Sequence, residues 1–253
     1  MHIPYVGITD FTKFEQVEHM LRVFKAHIHP TSTRKLHVGV MMSYKTLHGL
    51  ETKWSKAFPP KETVASIFAS GETYNCLHYA DYDKDPDFDR SLDQAVSYGG
   101  FNLNAVQLDM VWPEPDGIAY AVPGHIEVIL QVGKNAIEQA DNSPDTVVTM
   151  LGNYEGLIDR VLLDKSMGRG LGMDAIGLLP FARAIRKRFP TLGLVAAGGL
   201  GPDTMHLVEP LVREFPDLSI DAQGRLRPSG NALDPIDWEM AGSYLCKAFN
   251  FLE

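Results

Sequence analysis

Residues 193–222 read GLVAAGGLGPDTMHLVEPLVREFPDLSIDA, and they contain one strand–helix–strand unit. The apolar runs at 193–197 and 218–222 are typical of strands in a parallel sheet that is covered on both faces. Between them, Pro202 suits a first helical turn. Apolar residues then recur at spacings of three and four, as one buried helix face requires, at Leu207, Val208, Leu211, Val212 and Phe215.

The same alternation of strand and helix patterns fills the rest of the chain. Six more apolar runs predict strands at Tyr5–Ile8, Leu36–Met42, Tyr74–Tyr79, Ala105–Met110, Glu127–Gly133 and Asp159–Asp164. Eight such units in 253 residues predict a single (β/α)8 barrel domain over residues 1–253. An open doubly wound sheet is the alternative, but its G-x-G-x-x-G turn is missing after the first strand.

Two connections depart from the regular pattern. The second βα loop is extended over residues 46–60, and the fourth lies between Asp109 and Glu127. The fourth contains WPEPDGIAYAVPGH, which has too many prolines to predict a regular helix.

Composition excludes several classes of protein. Against 32 acidic residues stand 23 Lys and Arg, a formal net charge of −9, which disfavours nucleic-acid binding but leaves room for a local anion site. Two cysteines cannot form a disulfide framework. With no secretory signal and no apolar run of membrane-spanning length, we expect a cytoplasmic protein that binds a small molecule. A homo-oligomer is compatible with the sequence.

Polar side chains and two glycines stand at the predicted strand ends, where a barrel of this kind carries its active site. They are Thr9, Asp10, Ser43, Lys45, His78, Gln107, Asp109, Gln131, Asp164, Ser166, Gly198, Gly199, Asp221 and Gln223. Carboxylates that converge on one mouth suit acid–base catalysis. The same cluster of Asp10, Asp109, Asp164 and Asp221 is also chemically suited to Mg²⁺. No zinc-ligand spacing is present.

Two glycine-containing loops predict a phosphate site. Gly198, Gly199 and Gly201 follow the seventh strand, and Gly224 and Arg225 follow the eighth. Glycines let backbone N–H groups approach an anion, and the loops after strands seven and eight form a recurrent phosphate site in barrels. The alternative is a tight turn that needs glycine only for its backbone geometry.

Several segments resemble the phosphoribosylanthranilate isomerase family of ribulose-phosphate-binding barrels. The family's K-I-C-G-I-T, S-x-R and V-Q-L-H-G are similar to segments 5–9 (YVGIT), 43–45 (SYK) and 106–110 (VQLDM). Its L-L-D, A-G-G-L-x-P and V-D-x-S-S-G are similar to segments 162–164 (LLD), 197–202 (AGGLGP) and 220–224 (IDAQG). The matches follow in order along the whole barrel. The resemblance implies a (β/α)8 fold, a phosphate loop and Asp164 as general acid.

The departures from the family pattern imply a rebuilt site. Val6 stands where the family has the cysteine that acts as its general base. Lys45 replaces the arginine that binds the substrate carboxylate. Ala222 and Gln223 replace the serines of the phosphate loop, and Asp109 replaces a histidine. We therefore expect an isomerase-like enzyme other than phosphoribosylanthranilate isomerase.

The replacement for the missing base stays open among Asp10, Asp109 and His78. If position 6 points into the barrel, Asp10 shares its direction. Lys45 or Lys165 could hold one carboxylate ionised. Two other functions stay open: a non-catalytic protein that binds a phosphorylated ligand, and a Mg²⁺-dependent lyase or hydrolase.

Overall fold

A computed structural model describes residues 2–164 and 172–252. Eight parallel strands close into a barrel in sequence order, and β1 pairs with β8. The strands are β1 (Tyr5–Thr9), β2 (Lys35–Ser43), β3 (Tyr74–Ala80), β4 (Ala105–Asp109), β5 (Glu127–Gly133), β6 (Arg160–Asp164), β7 (Gly193–Ala197) and β8 (Ser219–Ala222). The predicted (β/α)8 fold and its eight strands are confirmed.

Helices cover the outside of the barrel. They are α1 (Phe14–His27), α2 (Tyr44–Leu47), α3 (Val64–Ile67), α4 (Phe88–Ser97), α5 (Pro115–Ala121), α6 (Lys134–Gln139), α7 (Pro144–Leu151), α8 (Ala175–Arg188), α9 (Glu209–Glu214) and α10 (Trp238–Leu252). Short 3-10 helices occur at Lys53–Lys56, Lys61–Thr63, Gly152–Tyr154, Met205–Val208 and Gly224–Leu226. No helix in these described ranges is both long and apolar enough to cross a membrane.

The fourth connection does contain a helix, contrary to the sequence prediction. Helix α5 begins at Pro115, and it ends at Ala121, before Pro123. Proline at the first helical position lacks only an N–H that has no partner there in any case. The prolines therefore bound this helix and do not break it.

The alternation of side chains in β1 decides which residues face the interior. Val6 and Ile8 lie in the core between strands and helices, whereas Tyr5 lies in the cluster inside the barrel. A Cβ on Gly7 would meet the Asp221 carboxylate at 2.5 Å, so position 7 also faces inward. Position 6 therefore points away from the barrel interior, and the condition under which Asp10 was expected to point inward with it is wrong. A base at position 6 would not reach the interior.

The closed, N-terminal end of the barrel is held by an ion pair between buried Arg160 and partly exposed Glu127. Arg160 on β6 donates from Nε to Oε2 of Glu127 on β5 over 2.7 Å, and Tyr74 donates to the same oxygen over 2.6 Å. The guanidinium also lies over the rings of Tyr5 and Tyr74, at 5.4 and 5.1 Å from their centroids. This polar layer sits at the N-terminal strand ends, away from the catalytic face of such barrels.

Candidate functional site

A cavity of about 620 Å³ opens at the C-terminal strand ends. Twelve residues that we predicted to act in catalysis or substrate binding line it: Ser43, Lys45, His78, Gln107, Asp109, Asp164, Gly198, Gly199, Asp221, Gln223, Gly224 and Arg225. The barrel thus brings most of the predicted site together. Lys165 and Ser166 lie outside the described residues.

Asp10 is buried but does not line the cavity. Its Oδ2 pairs with the guanidinium of Arg227 and also accepts a 2.9 Å hydrogen bond from Nε2 of Gln223. Its backbone has a φ of 92°, a conformation that is uncommon for a residue with a side chain. The structure therefore places Asp10 in a link between β1 and the loop after β8.

Gly201 also lies outside the cavity lining. A Cβ at this position would meet the carbonyl oxygen of Arg225 at 2.8 Å. The glycine therefore lets the loop after β7 pack against the loop after β8. The next helix begins at Met205 rather than at Pro202, so its N-terminus lies farther from Gly199 than the sequence predicted.

The loop after β7 has the backbone conformation that a glycine allows. Gly198 and Gly199 have φ angles of 89° and 75°, and both line the cavity. Gly224 and Arg225 line it from the loop after β8. A Cβ on Gly224 would meet nothing closer than 4.0 Å. Backbone is therefore open to a ligand on this side of the mouth.

Asp221 occupies the floor of the cavity on β8. Its Oδ2 accepts a 2.8 Å hydrogen bond from the hydroxyl of Thr9, whereas Oδ1 is buried with no hydrogen-bond partner among the described residues. Burial raises the pKa of Asp221 to about 6, against the opposing effects of the Thr9 hydrogen bond and the charge of His78. The carboxyl group can therefore exchange a proton near neutral pH.

His37 lies beside Asp221 inside the barrel. Its Nδ1 is 3.8 Å from Oδ1 of Asp221, and its ring stacks on Tyr5 at a centroid distance of 4.5 Å. Burial lowers the pKa of His37 to about 3. The imidazole is therefore neutral at physiological pH, and the contact with Asp221 is not an ion pair.

A second polar group follows the ends of β3, β4 and β5. Nε2 of His78 lies 3.5 Å from Oδ2 of Asp109. The Gln107 amide nitrogen lies 3.2 Å from the same imidazole nitrogen and donates to Gln131 over 2.8 Å. Burial lowers the pKa of His78, but the hydrogen bond and negative charge of Asp109 outweigh it, so the net shift is upward.

Tyr82 is a residue of the candidate site that its position in the sequence does not reveal, because it is not at a strand end. It lies two residues beyond the end of β3, lines the cavity and donates a 2.5 Å hydrogen bond from its hydroxyl to Oδ1 of Asp109. Burial raises the pKa of Tyr82, and the charge of Asp109 adds to this effect. The phenol is therefore a proton donor at neutral pH. The sequence feature that could have identified Tyr82 is an aromatic residue in the loop that follows a barrel strand.

The extended second connection forms another wall. The rings of Trp54 and Phe58 stack with centroids 5.4 Å apart, and both side chains line the cavity. Lys45 reaches Asp83 over 3.0 Å and is partly exposed. Trp112, by contrast, donates to the carbonyl of Ala136 over 3.2 Å and is not part of the lining.

Within the part of the chain that the structure describes, the carboxylates do not form a metal cluster. Among residues 2–164 and 172–252, no group of three or more His, Cys, Asp or Glu side chains is placed to hold a metal ion. In particular, Asp10 is committed to Arg227, so the four carboxylates that suit Mg²⁺ chemically do not share one centre.

Comparisons with known proteins identify the fold only. The sequence matches no protein-family model and no curated protein. A native KDPGal structure is 12% identical over 99% of this chain and 94% of its own, with a TM-score of 0.52. The alpha subunit of tryptophan synthase from Legionella pneumophila is 14% identical over 98% and 91%, with a TM-score of 0.55. A chitinase domain from Pyrococcus furiosus is 10% identical over 99% and 95%, with a TM-score of 0.58.

Proposed function

We propose that this protein is a barrel enzyme that binds a phosphorylated sugar or phosphoribosyl compound and moves a proton beside a carbonyl or imine. The observation that carries the proposal is that Gly198 and Gly199, both with positive φ, line the same cavity as His78, Asp109 and Asp164. Open backbone and titratable side chains therefore face one ligand-sized space.

The phosphate belongs on the glycine side of the cavity. The backbone at Gly198, Gly199 and Gly224 can approach an anion closely, because no side chain intervenes. Arg225 supplies a cation on the same side, and Lys45, which lies 3.0 Å from the Asp83 carboxylate, supplies a second from the loop after β2. These groups offset the net charge of −9, which would otherwise repel an anionic ligand.

The reaction class follows from the titratable side chains on the cavity walls away from the glycine loops. Asp164 ends β6 and lines the cavity, as a general acid must. Of the three predicted bases, Asp109 and His78 line the cavity, whereas Asp10 pairs with Arg227 outside it. A base and an acid in one enclosed space suit an Amadori-type isomerisation, in which a proton leaves one carbon and another is added beside it.

Thermal denaturation in the presence of ligands tests the proposal. A ligand that binds only the folded state stabilises it by about 2.7 kcal/mol at one hundred times its Kd. We expect ribose 5-phosphate to raise the unfolding midpoint by several degrees, inorganic phosphate to raise it less, and ribose to leave it unchanged. Equal midpoints with ribose 5-phosphate and with ribose would contradict the phosphate site.

A further inference from the structure

Asp109 is the middle member of a chain of three side chains on one wall of the cavity. Its Oδ1 accepts the Tyr82 hydroxyl over 2.5 Å, and its Oδ2 lies 3.5 Å from Nε2 of His78. Both carboxylate oxygens are therefore engaged by neighbouring side chains. A carboxylate held in this way is poorly placed to take a proton from a substrate carbon, but it is well placed to orient an imidazole.

The loop after β3 is built to present Tyr82 at this position. Asp81 is buried, and its two carboxylate oxygens accept hydrogen bonds from the backbone N–H groups of Asp83 and Asp85, each over 2.9 Å. This turn fixes the backbone on the C-terminal side of Tyr82. The phenol thus reaches Asp109 from an ordered loop, although 54% of the tyrosine is exposed.

We propose that His78 takes the proton in the reaction and that Asp109 and Tyr82 are positioning residues: Asp109 orients the imidazole, and Tyr82 fixes Asp109. The proposal rests on the proposed function for the nature of the reaction. The arrangement of the three side chains is independent of that function, because it is present in the protein without a ligand.

The proton transfer balances with the groups present. We assign the Nε2–H to Asp109, so Nδ1 of His78, which lies 3.4 Å from the Gln107 amide nitrogen, is the imidazole nitrogen that accepts the proton. The C–H electron pair forms a carbon–carbon double bond, and the carbonyl electron pair moves to its oxygen, which takes a proton from Asp164. A proton is then returned from His78 to the neighbouring carbon, and Asp164 recovers its own, so that neither residue is changed by a full turnover.

The charges that surround His78 favour this role. Asp109 on β4, Asp221 on β8 and Asp10 beyond β1 all favour the protonated imidazole. His37 on β2 also interacts with His78, but burial keeps this second imidazole neutral because it lowers the pKa of His37 to about 3. The upward shift of the His78 pKa therefore depends on carboxylates, and Asp109 is the one in direct contact.

NMR titration of the imidazole signals in the free protein tests the two positioning residues. His78→Gln assigns the signal. We expect Asp109→Asn to lower the pKa of His78 by about one pH unit or more, because it removes an adjacent negative charge. We expect Tyr82→Phe to raise it, because Asp109 loses a donor that draws charge away from the imidazole. Tyr120→Phe, an exposed tyrosine outside the cavity lining, is the matched control.

Exchange of the C2 proton of ribose 5-phosphate in D₂O tests the role of His78. The wild type should catalyse exchange with a rate that rises as His78 loses its proton, and His78→Gln should lose exchange by about 100-fold or more while it still binds the sugar phosphate. An unchanged His78 pKa in Asp109→Asn, or a lower one in Tyr82→Phe, would overturn the positioning roles. Binding without any exchange would overturn the proton transfer, whereas absence of binding would count against the phosphate site.

Discussion

The hydroxyl of Thr9 on β1 donates a 2.8 Å hydrogen bond to the carboxylate of Asp221 on β8, inside the barrel and at the floor of the cavity. The contact needs space that only glycines leave. A Cβ on Gly7 would meet Asp221 at 2.5 Å, and one on Gly39 would meet the Thr9 hydroxyl at 2.3 Å. The inner face of β1 and β2 is therefore shaped to hold one carboxyl group.

The buried carboxyl of Asp221 should make stability depend on pH. Its folded-state pKa of about 6 lies above the ordinary value of 3.8, so the folded state binds its proton more tightly than the unfolded state does. The stabilisation is complete below pH 3.8 and is lost as the pH rises through 6. Asp221→Asn should therefore increase the free energy of unfolding at pH 8, by up to about 3 kcal/mol.

Urea denaturation at pH 4.5 and pH 8 measures this effect. The gain in Asp221→Asn should shrink at the lower pH, because the wild-type carboxyl is then largely protonated. Asp203→Asn, a change at an exposed aspartate, is the control. The account is wrong if Asp221→Asn is less stable than the wild type at pH 8, or if its gain is the same at both pH values.

Gly7→Ala should disturb both the fold and the carboxyl group. The added methyl would meet Oδ1 of Asp221 at 2.5 Å, Nδ1 of His37 at 2.9 Å and the backbone carbonyl of Ile220 at 3.0 Å. We expect a loss of about 2 kcal/mol or more in the free energy of unfolding, as overpacking of a core costs. Gly124→Ala, where a Cβ meets nothing within 4 Å, should change it little. Similar losses in both variants would show that space around Asp221 is not limiting.

The ion pair at the closed end should contribute to stability and not to binding. Glu127→Gln leaves the buried guanidinium of Arg160 without its charged partner, so we expect a loss of about 2 to 3 kcal/mol in the free energy of unfolding. Glu155→Gln breaks an exposed pair with Arg188 and should cost less than about 1 kcal/mol. Denaturation of both variants, with ribose 5-phosphate titrated into each, tests this. Equal losses, or weaker ligand binding in Glu127→Gln alone, would be inconsistent with the separation of the two ends.

Asp164→Asn separates catalysis from binding. The amide keeps the size of the carboxyl but cannot donate and recover a proton, so exchange of the C2 proton of ribose 5-phosphate should fall by about 100-fold or more. Its affinity for ribose 5-phosphate should stay within a few-fold, because the proposed phosphate contacts lie on the glycine loops. If the wild type binds the sugar phosphate and neither form catalyses exchange, the protein is a ligand-binding barrel.

The fold was predictable because each strand is a short apolar run bounded by polar turns. These runs stay visible even where a connection is irregular, as between β4 and β5. The directions of side chains were harder to predict. Val6 and Gly7 are both compatible with an inward position, and only the closure of β1 against β8 places Gly7 beside Asp221.

The candidate site was predictable where a titratable side chain lies at or near the C-terminal end of a strand, as at His78, Asp109 and Asp164. It was not predictable where a side chain reaches in from a loop. Tyr82 is recognisable only after the turn at Asp81 is known, and Trp54 joins the lining through a 3-10 helix in the second connection. The contacts of Asp10 were not predictable either, because its partner Arg227 is 217 residues away in sequence.

Isothermal titration with ribose 5-phosphate of the wild type, Gly224→Asp and Gly152→Asp tests the central claim most directly. Both glycines begin a three-residue 3-10 helix, and neither would bring a Cβ closer than 4.0 Å to other atoms, but only Gly224 lines the cavity. We predict that the wild type and Gly152→Asp bind ribose 5-phosphate alike and that Gly224→Asp loses at least about tenfold in affinity, because its carboxylate repels the phosphate. Equal affinity in all three proteins would contradict a phosphate site at the glycine loops.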